Sequence, residues 1–347
     1  MKRLRILVLV REGLVPPESM DGYSDEEIDR WKVEFDVVAT LRNLGHRVRP
    51  LGVQHDLAPI RKAIHDWSPD ITFMLLEEFY GLGVYDSAIV SYLELMRQPY
   101  TGCNPRGLLL SRDKALSKKI LRFHRVATPR FAVFPRGKTL NPKRMPALRF
   151  PLIVKSVAED ASLGIAQASV VGDREALAAR IAFVQQRLNT DALVEEYIEG
   201  REFYVGVIGN QRLETFPIWE MVFTGLPEDV ARIATAKVKW DRQYQKKYGI
   251  TTTAAEGLPS ALAAKISRLC KRVYRELHMS GYARIDLRMN EAGQVFVLEA
   301  NANPNLAYGE DFAESAETGG ISYEALMQRI LQLGLTFHSP WKTVFGE

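Results

Sequence analysis

Apolar and polar positions change rhythm along this chain, and the rhythm divides it. Near the amino end, short apolar runs alternate with amphipathic stretches: 4–10, then 34–44 closed by Gly45, 48–51, 58–67 stopped before Pro69, and 71–76. Strand, helix, strand, helix, strand in that order predicts an open parallel sheet with helices on its faces. The intervening 12–29, rich in acids, Pro and Gly, reads as a loop, and Glu77 and Glu78 follow the third strand at the carboxyl edge, where such sheets bind ligands. A helix over 86–97 and a short strand over 99–102 close this unit.

From Ser111 the pattern changes. A helix follows, with Ser111 or Asp113 as its cap, and then a strand over 150–155 ends in Lys155. Next come a small-residue loop over 156–164, a returning strand over 165–171, a helix over 173–188, and strands over 192–198 and 201–208. Between 221 and 256 the periodicity is lost among Lys237, Lys239, Lys246, Lys247, Gly and Pro, which reads as a functional loop. A helix over 261–277 carries Leu262, Ile266, Leu269, Val273 and Leu277 at core-facing spacing, with Cys270 as filler. A hairpin, a polar loop over 303–320 and a last helix over 322–333 complete the chain. Three units are expected: 1–108, 109–193 and 194–347.

The hairpin carries the most chemistry. Arg284 and Asp286 lie two apart in one alternating run, and Glu299 and Asn301 lie two apart in the next, so each pair shares a strand face. The turn over 289–294 sets the pairs side by side, bringing two carboxylates, an amide oxygen and a guanidinium together. Such hard oxygen ligands suit Mg²⁺ or Mn²⁺ holding nucleotide phosphates, and the competing reading is a polar strand pair facing solvent. Lys155 before a small-residue loop can meet phosphate, or simply be surface. Backbone groups of Glu195, Glu196, Tyr197 and Ile198 can meet a purine edge. Glu202 can bind a ribose hydroxyl or pair with Arg201. No GxxxxGK[ST] and no post-strand G-x-G-x-x-G occurs, which excludes a Walker ATPase and a dinucleotide fold.

Composition narrows the class. With 347 residues, 46% hydrophobic and 25% charged, the chain is an ordinary folded protein of two or three domains. No apolar run approaches the ~18 residues of a membrane helix, and the first run lacks a cleavage site, so a cytoplasmic protein is expected. Cys103 and Cys270, unpaired in spacing, fit a reducing compartment. The net charge of +4 is spread along the chain, helpful to an anionic ligand but without the basic helix or aromatic strand of a nucleic-acid binder.

Taken in order, Pro99-Tyr-Thr-Gly, Ser111-Arg-Asp-Lys, Pro151-Leu-Ile-Val-Lys, Leu193-Val-Glu-Glu-Tyr-Ile-Glu-Gly-Arg-Glu-Phe, Gly281-Tyr-Ala-Arg-Ile-Asp and Leu298-Glu-Ala-Asn-Ala-Asn-Pro resemble the ATP-grasp ligases, specifically their D-alanine–D-alanine ligase branch. The resemblance implies an ATP-grasp fold, α/β and α+β, behind an amino-terminal parallel α/β unit, and implies a homodimer. It implies that Lys114 and Lys155 contact ATP phosphates, that the loop through Ser162 and Gly164 closes over them, that Glu195 to Ile198 line adenine, and that Glu202 holds ribose. It further implies that Lys237 is the mobile-loop lysine, that Asp286, Glu299 and Asn301 hold magnesium, and that Arg284 steadies the acyl phosphate and the tetrahedral intermediate. The expected reaction joins a small carboxylate to an amine with release of ADP and phosphate.

Several family positions differ here. The glycine- and serine-rich start is Val10-Arg-Glu-Gly, the first loop serine is Ala161, and the tyrosine after the loop lysine is Val238. Asn305 replaces a glycine, and Glu310 falls near the serine that meets the acceptor's carboxylate. These departures point to a substrate pair other than D-alanine. A true D-alanine–D-alanine ligase, a non-catalytic nucleotide-binding module, and an ATP-grasp carboxylase or phosphotransferase stand as alternatives.

Overall fold

The apolar run near the amino end is buried on both faces, and the sheet it builds explains why. The computed structural model describes residues 2–138, 147–158, 164–227 and 230–345. Strands β1 (Arg5–Arg11), β2 (Arg47–Val53) and β3 (Ile71–Met74) form a parallel sheet in the order β2-β1-β3. Successive β1 side chains enter different cores. Ile6 and Val8 pack toward helix α1 (Asp25–Asn43), whereas Leu7 and Leu9 pack toward α2 (Ala58–Trp67) and α3 (Asp86–Leu95). The strand expected over 99–102 is reduced to one parallel bridge between Thr72 and Tyr100.

Helix α1 corrects the expected loop over 12–29. Ser24 Oγ accepts from the Glu27 amide at 3.4 Å, and Glu27 accepts from the Ser24 amide at 2.9 Å, a reciprocal cap that starts the helix nine residues before its apolar stripe becomes legible. Helices α4 (Pro105–Arg112) and α5 (Lys114–Phe123) then divide at Asp113, whose carboxylate accepts the amides of Ala115 and Leu116.

Four antiparallel strands, β4 (Phe131–Phe134), β5 (Leu152–Ser156), β6 (Val170–Val171) and β7 (Ala192–Glu196), follow in the order β4-β7-β5-β6 and are covered by α6 (Arg174–Arg187). The returning strand expected over 165–171 shrinks to a 3₁₀ turn at Gln167–Ser169 and the two residues of β6. The divide expected between 193 and 194 cuts β7. We place it in the turn at 197–200 instead, which keeps this sheet whole.

The remaining sheet, antiparallel, contains β8 (Arg201–Ile208), β9 (Glu214–Thr215), β10 (Trp219–Phe223), β11 (Ile250–Ala254), β12 (Tyr282–Met289) and β13 (Val295–Ala302), in the order β11-β10-β8-β12-β13 with β9 beside β8. The stretch that loses rhythm is therefore more ordered than its composition suggests. It carries β10, the short helices α7 (Ala236–Trp240) and α8 (Arg242–Tyr248), and β11. Helix α9 (Ser260–Glu276) lays Ile266, Cys270 and Val273 on the sheet, and burial raises the thiol pKa of Cys270. The polar loop expected over 303–320 contains α10 (Asp311–Thr318), followed by α11 (Tyr323–Thr336) and α12 (Pro340–Phe345).

One junction locks the amino-terminal unit to the hairpin. Gly281, at φ +71°, lies so close to Gly102 that an added Cβ would stand 2.5 Å from its carbonyl oxygen. Asn303 accepts from the Cys103 amide at 2.8 Å on the same seam. Only glycine meets both the left-handed backbone and the close approach. Among the described residues, no helix is long and apolar enough to cross a membrane.

Candidate active site

The hairpin register pairs Arg284 with Asn301 and Asp286 with Glu299, as the alternation predicts. Beyond Asp286 the register shifts: Leu287 pairs with Val297, so Leu298 is an extra residue and turns toward the cleft. A bulge of this kind re-aims side chains beside a site. It also presents the Leu298 carbonyl to Lys118, which donates to it. Arg284 grips Asp286 with two hydrogen bonds of 2.8 and 2.9 Å, and the Asn301 amide nitrogen donates to the same carboxylate at 3.0 Å. The Arg284 guanidinium stacks over Tyr204 at 4.8 Å.

The two facing carboxylates are in opposite electrostatic conditions. Burial raises the Asp286 carboxyl to about 6 despite Arg284, and the Glu299 charge adds to the rise. Burial acts on Glu299 too, but Lys114, Lys155, Lys239 and Arg284 outweigh it and hold that carboxyl near 2. Glu299 is thus firmly anionic at neutral pH, whereas Asp286 gains from any cation placed between them. Among the described residues no three acidic, His or Cys side chains form a stand-alone metal cage. Two carboxylates and one amide suit Mg²⁺, which keeps water and substrate phosphate as its other ligands. The donor set fits the metal.

Asp286 and Glu299 line a cleft with about 710 Å³ of free space, the open solvent at its mouth included. Lys114, Lys155 and Lys239 line it near these carboxylates, Glu195, Glu196, Glu202 and Arg288 add further charged groups, and Pro129, Ile153, Ile165, Ile198, Ile233 and Leu298 supply apolar walls. Such a cleft suits a planar base, with the cations placed for its phosphates. Lys114 opens α5 directly after its Asp113 cap and lies 3.8 Å from Glu299. Lys155 ends near Glu195 at 3.2 Å, and Lys118, 1% exposed, meets the other oxygen of Glu195 at 2.8 Å. Glu195 is therefore a buried anchor for two lysines whose side chain is already engaged. Burial opposes its charge, but Lys118 and Lys155 outweigh that and lower its pKa.

Glu196, Tyr197 and Ile198 also line the cleft, yet part of their backbone is committed. The Tyr197 amide donates to Pro151 at 3.0 Å, and the Ile198 carbonyl accepts from Arg288 at 2.8 Å. Glu202 lies in the cleft wall, 7% exposed, with Arg288 and not Arg201 as its partner. Gly164 has φ +72°, and its carbonyl accepts from Arg180; Ser162 lies outside the described residues.

The loop lysine is where the structure departs most from expectation. Lys237 is exposed and outside the cleft, and Lys239 lines it. Thr235 caps α7 through the Val238 amide at 3.2 Å, and Val238 is buried at 2%. That phase sends the lysines flanking Val238 to opposite sides. The residue after the cleft lysine is then Trp240 and not Val238. Sequence reasoning passed over Lys118 and Arg288, both buried cations, whose partners Glu195 and Glu202 lie far away in sequence.

Comparison with known proteins gives the family. A family model described as D-ala D-ala ligase C-terminus matches residues 124–332. An uncharacterized protein of Sinorhizobium fredii is 32% identical over 87% of each chain. The D-alanine–D-alanine ligase of Polaromonas naphthalenivorans is 32% identical over 74% of this chain and 75% of its own. That of Carboxydothermus hydrogenoformans is 31% identical over 90% and 96%. The crystal structure of the Bacillus anthracis D-alanine–D-alanine ligase complexed with ATP superposes with a TM-score of 0.74 at 23% identity, covering 96% of this chain and 97% of that one, which shows the fold. With over half its length inside the family model and relatives above 30% identity across most of it, the chain belongs to the D-alanine–D-alanine ligase family, enzymes of the ATP-grasp carbon–nitrogen ligase class.

Proposed function

We propose that this enzyme joins the carboxylate of one small amino-acid-like substrate to the amine of another, at the expense of ATP and through an acyl phosphate. The observation that carries the reading is the facing Asp286–Glu299 pair, with Lys114, Lys155 and Lys239 beside it, in a cleft that also has apolar walls. Lys114, Lys155 and Lys239 hold the phosphates there. Mg²⁺, or Mn²⁺ in its place, held by Asp286, Glu299 and Asn301, would neutralise phosphate charge.

In the first step a carboxylate oxygen bonds to the terminal phosphorus as the bond to ADP breaks. In the second, the amine nitrogen bonds to the carbonyl carbon, the tetrahedral intermediate expels phosphate, and the nitrogen gives up a proton. Arg284, fixed by Asp286 and Tyr204, stabilises the negative charge that gathers on the carbonyl oxygen. Ile233, Ala234 and Lys239 come from the segment over the cleft and exclude the water that would hydrolyse the acyl phosphate.

D-Alanine as both substrates is supported by the names of the relatives. A different pair is favoured by Glu310, half-buried at the head of α10, whose pKa is raised by burial and by Asp311. A carboxylate there repels a carboxylate-bearing acceptor and attracts an amino group. Both readings are tested by incubating the enzyme with ATP and Mg²⁺, first with D-alanine and then with amino-acid and amine pools, while following ADP and product mass. A product equal to two substrates less one water establishes the ligase and names the pair. ADP release with no condensed product under any pool would refute it.

A further inference from the structure

Arg288 lines the cleft yet has no task in the chemistry above. It stands on β12, is 3% exposed, and spends its guanidinium on three different parts of the fold. Its Nε and Nη2 donate to one oxygen of Glu202 at 3.0 and 2.7 Å. Its Nη1 donates to the Ile198 carbonyl at 2.8 Å, just past the end of β7. Its Nη2 also donates to the carbonyl of Arg232, in the segment leading into α7. The guanidinium lies 4.9 Å from the Tyr197 ring, and the Tyr197 hydroxyl donates to the same Arg232 carbonyl at 3.4 Å.

These partners surround the nucleotide cleft. Tyr197, Ile198 and Glu202 belong to its wall, and Arg232 directly precedes Ile233 and Ala234, which line it as well. The Tyr204 hydroxyl takes the other Glu202 oxygen at 2.8 Å, so the carboxylate is held at both ends. A planar fork with five N–H groups can satisfy three acceptors in different directions, which an ammonium on a flexible stem cannot do in one pose. The segment 230–235 makes no strand pairing, so bonds to its carbonyls matter more than usual to where it rests.

We propose that segment 230–235 is a cover over the nucleotide cleft and that Arg288 is the positioning residue that ties it to the cleft wall at Ile198 and Glu202, holding the cover shut and Glu202 oriented at once. Its catalytic consequence rests on the ligase reading: a closed cover keeps water from the acyl phosphate. The tie itself does not depend on that reading.

The test uses the full-length enzyme with Arg288→Met and Arg288→Lys. Hydrogen exchange followed by mass spectrometry reads the cover directly, with and without Mg·ATP. In both variants amide exchange across 230–235 should quicken by about 10-fold or more, while β12 and β13 stay protected. Arg288→Met should weaken Mg·ATP binding about 10- to 100-fold, the range expected for loss of charge-assisted bonds. Arg288→Lys keeps the charge on Glu202, so it should retain most of the ATP affinity yet release more ADP per condensed product than the unaltered enzyme. Unchanged exchange at 230–235 in a folded Arg288→Lys protein would overturn the tie, as would an unchanged ATP affinity in folded Arg288→Met. If Arg288→Met fails to fold, the exchange measurement on Arg288→Lys decides alone. A quickened cover with no condensed product from any variant, the unaltered enzyme included, would leave the tie standing and sink the ligase reading instead.

Discussion

Replacing Glu195 by glutamine should cost far more stability than an isosteric change of one atom suggests. Glu195 and Lys118 are each 1% exposed, and the carboxylate lies 2.8 Å from Lys118 and 3.2 Å from Lys155. The amide keeps the shape but removes the negative charge, leaving the buried Lys118 ammonium facing that of Lys155, which lines the cleft. Burial already presses the Lys118 pKa downward, and the nearby Lys155 charge adds to that pressure. Removing one partner of a buried pair typically costs ~3–5 kcal/mol, against under ~1 kcal/mol for an exposed pair. Urea unfolding of Glu195→Gln, Lys118→Met and the double variant measures the coupling by a double-mutant cycle. The double variant should regain a substantial part of the loss, because Lys155 then has no buried cation beside it. A cost for Glu195→Gln below ~1 kcal/mol, or strict additivity in the cycle, would refute the reasoning.

Other consequences follow from the same geometry. Lys239→Met should lower turnover or raise the KM for ATP by about 10-fold or more, whereas Lys237→Met should change neither by more than about 2-fold; steady-state kinetics on the pair decides which lysine serves the site. Glu34, 5% exposed on α1, has its carboxyl raised by burial, with Glu77 adding, from an ordinary 4.5 to about 7. Between those values the folded protein holds more protons than the unfolded chain, so stability should be full at the acid end of this window and fall by ~3 kcal/mol as pH rises through it. Denaturation from pH ~5 to ~8 should show that fall in the unaltered protein and lose it in Glu34→Gln. The Arg242–Asp29 bridge joins α8 to α1 across 213 residues of sequence at 2.9 Å, but its side chains are 71% and 47% exposed. Asp29→Asn should therefore shift the melting temperature by less than about 1 °C.

What could be read in the sequence was whatever a strict period records. The strand period placed Arg284, Asp286, Glu299 and Asn301 together because a hairpin leaves no other arrangement once the turn is located. It could not foresee the bulge at Leu298, since one extra residue alters the register without altering composition. The start of α1 was legible in Ser24-Asp-Glu-Glu27, but the acids and prolines before it hid the reciprocal cap. In the basic stretch after β10, Lys237 and Lys239 differ only in helix phase, and Thr235 and the burial of Val238 set that phase. Lys118 and Arg288 were missed for a different reason. A buried cation is justified by partners far away in sequence, here Glu195 and Glu202, and no local pattern announces them.

The central claim is that a carboxylate is activated by phosphorylation before an amine displaces the phosphate. It is tested most directly by carrying a heavy-oxygen label in the carboxylate of the acyl donor and weighing the inorganic phosphate released. If an acyl phosphate forms in the cleft between Lys155, Arg284 and Glu299, one labelled oxygen should move from the donor to phosphate for each bond made, and Glu299→Gln should suppress both together. Condensed product accompanied by unlabelled phosphate would contradict the mechanism.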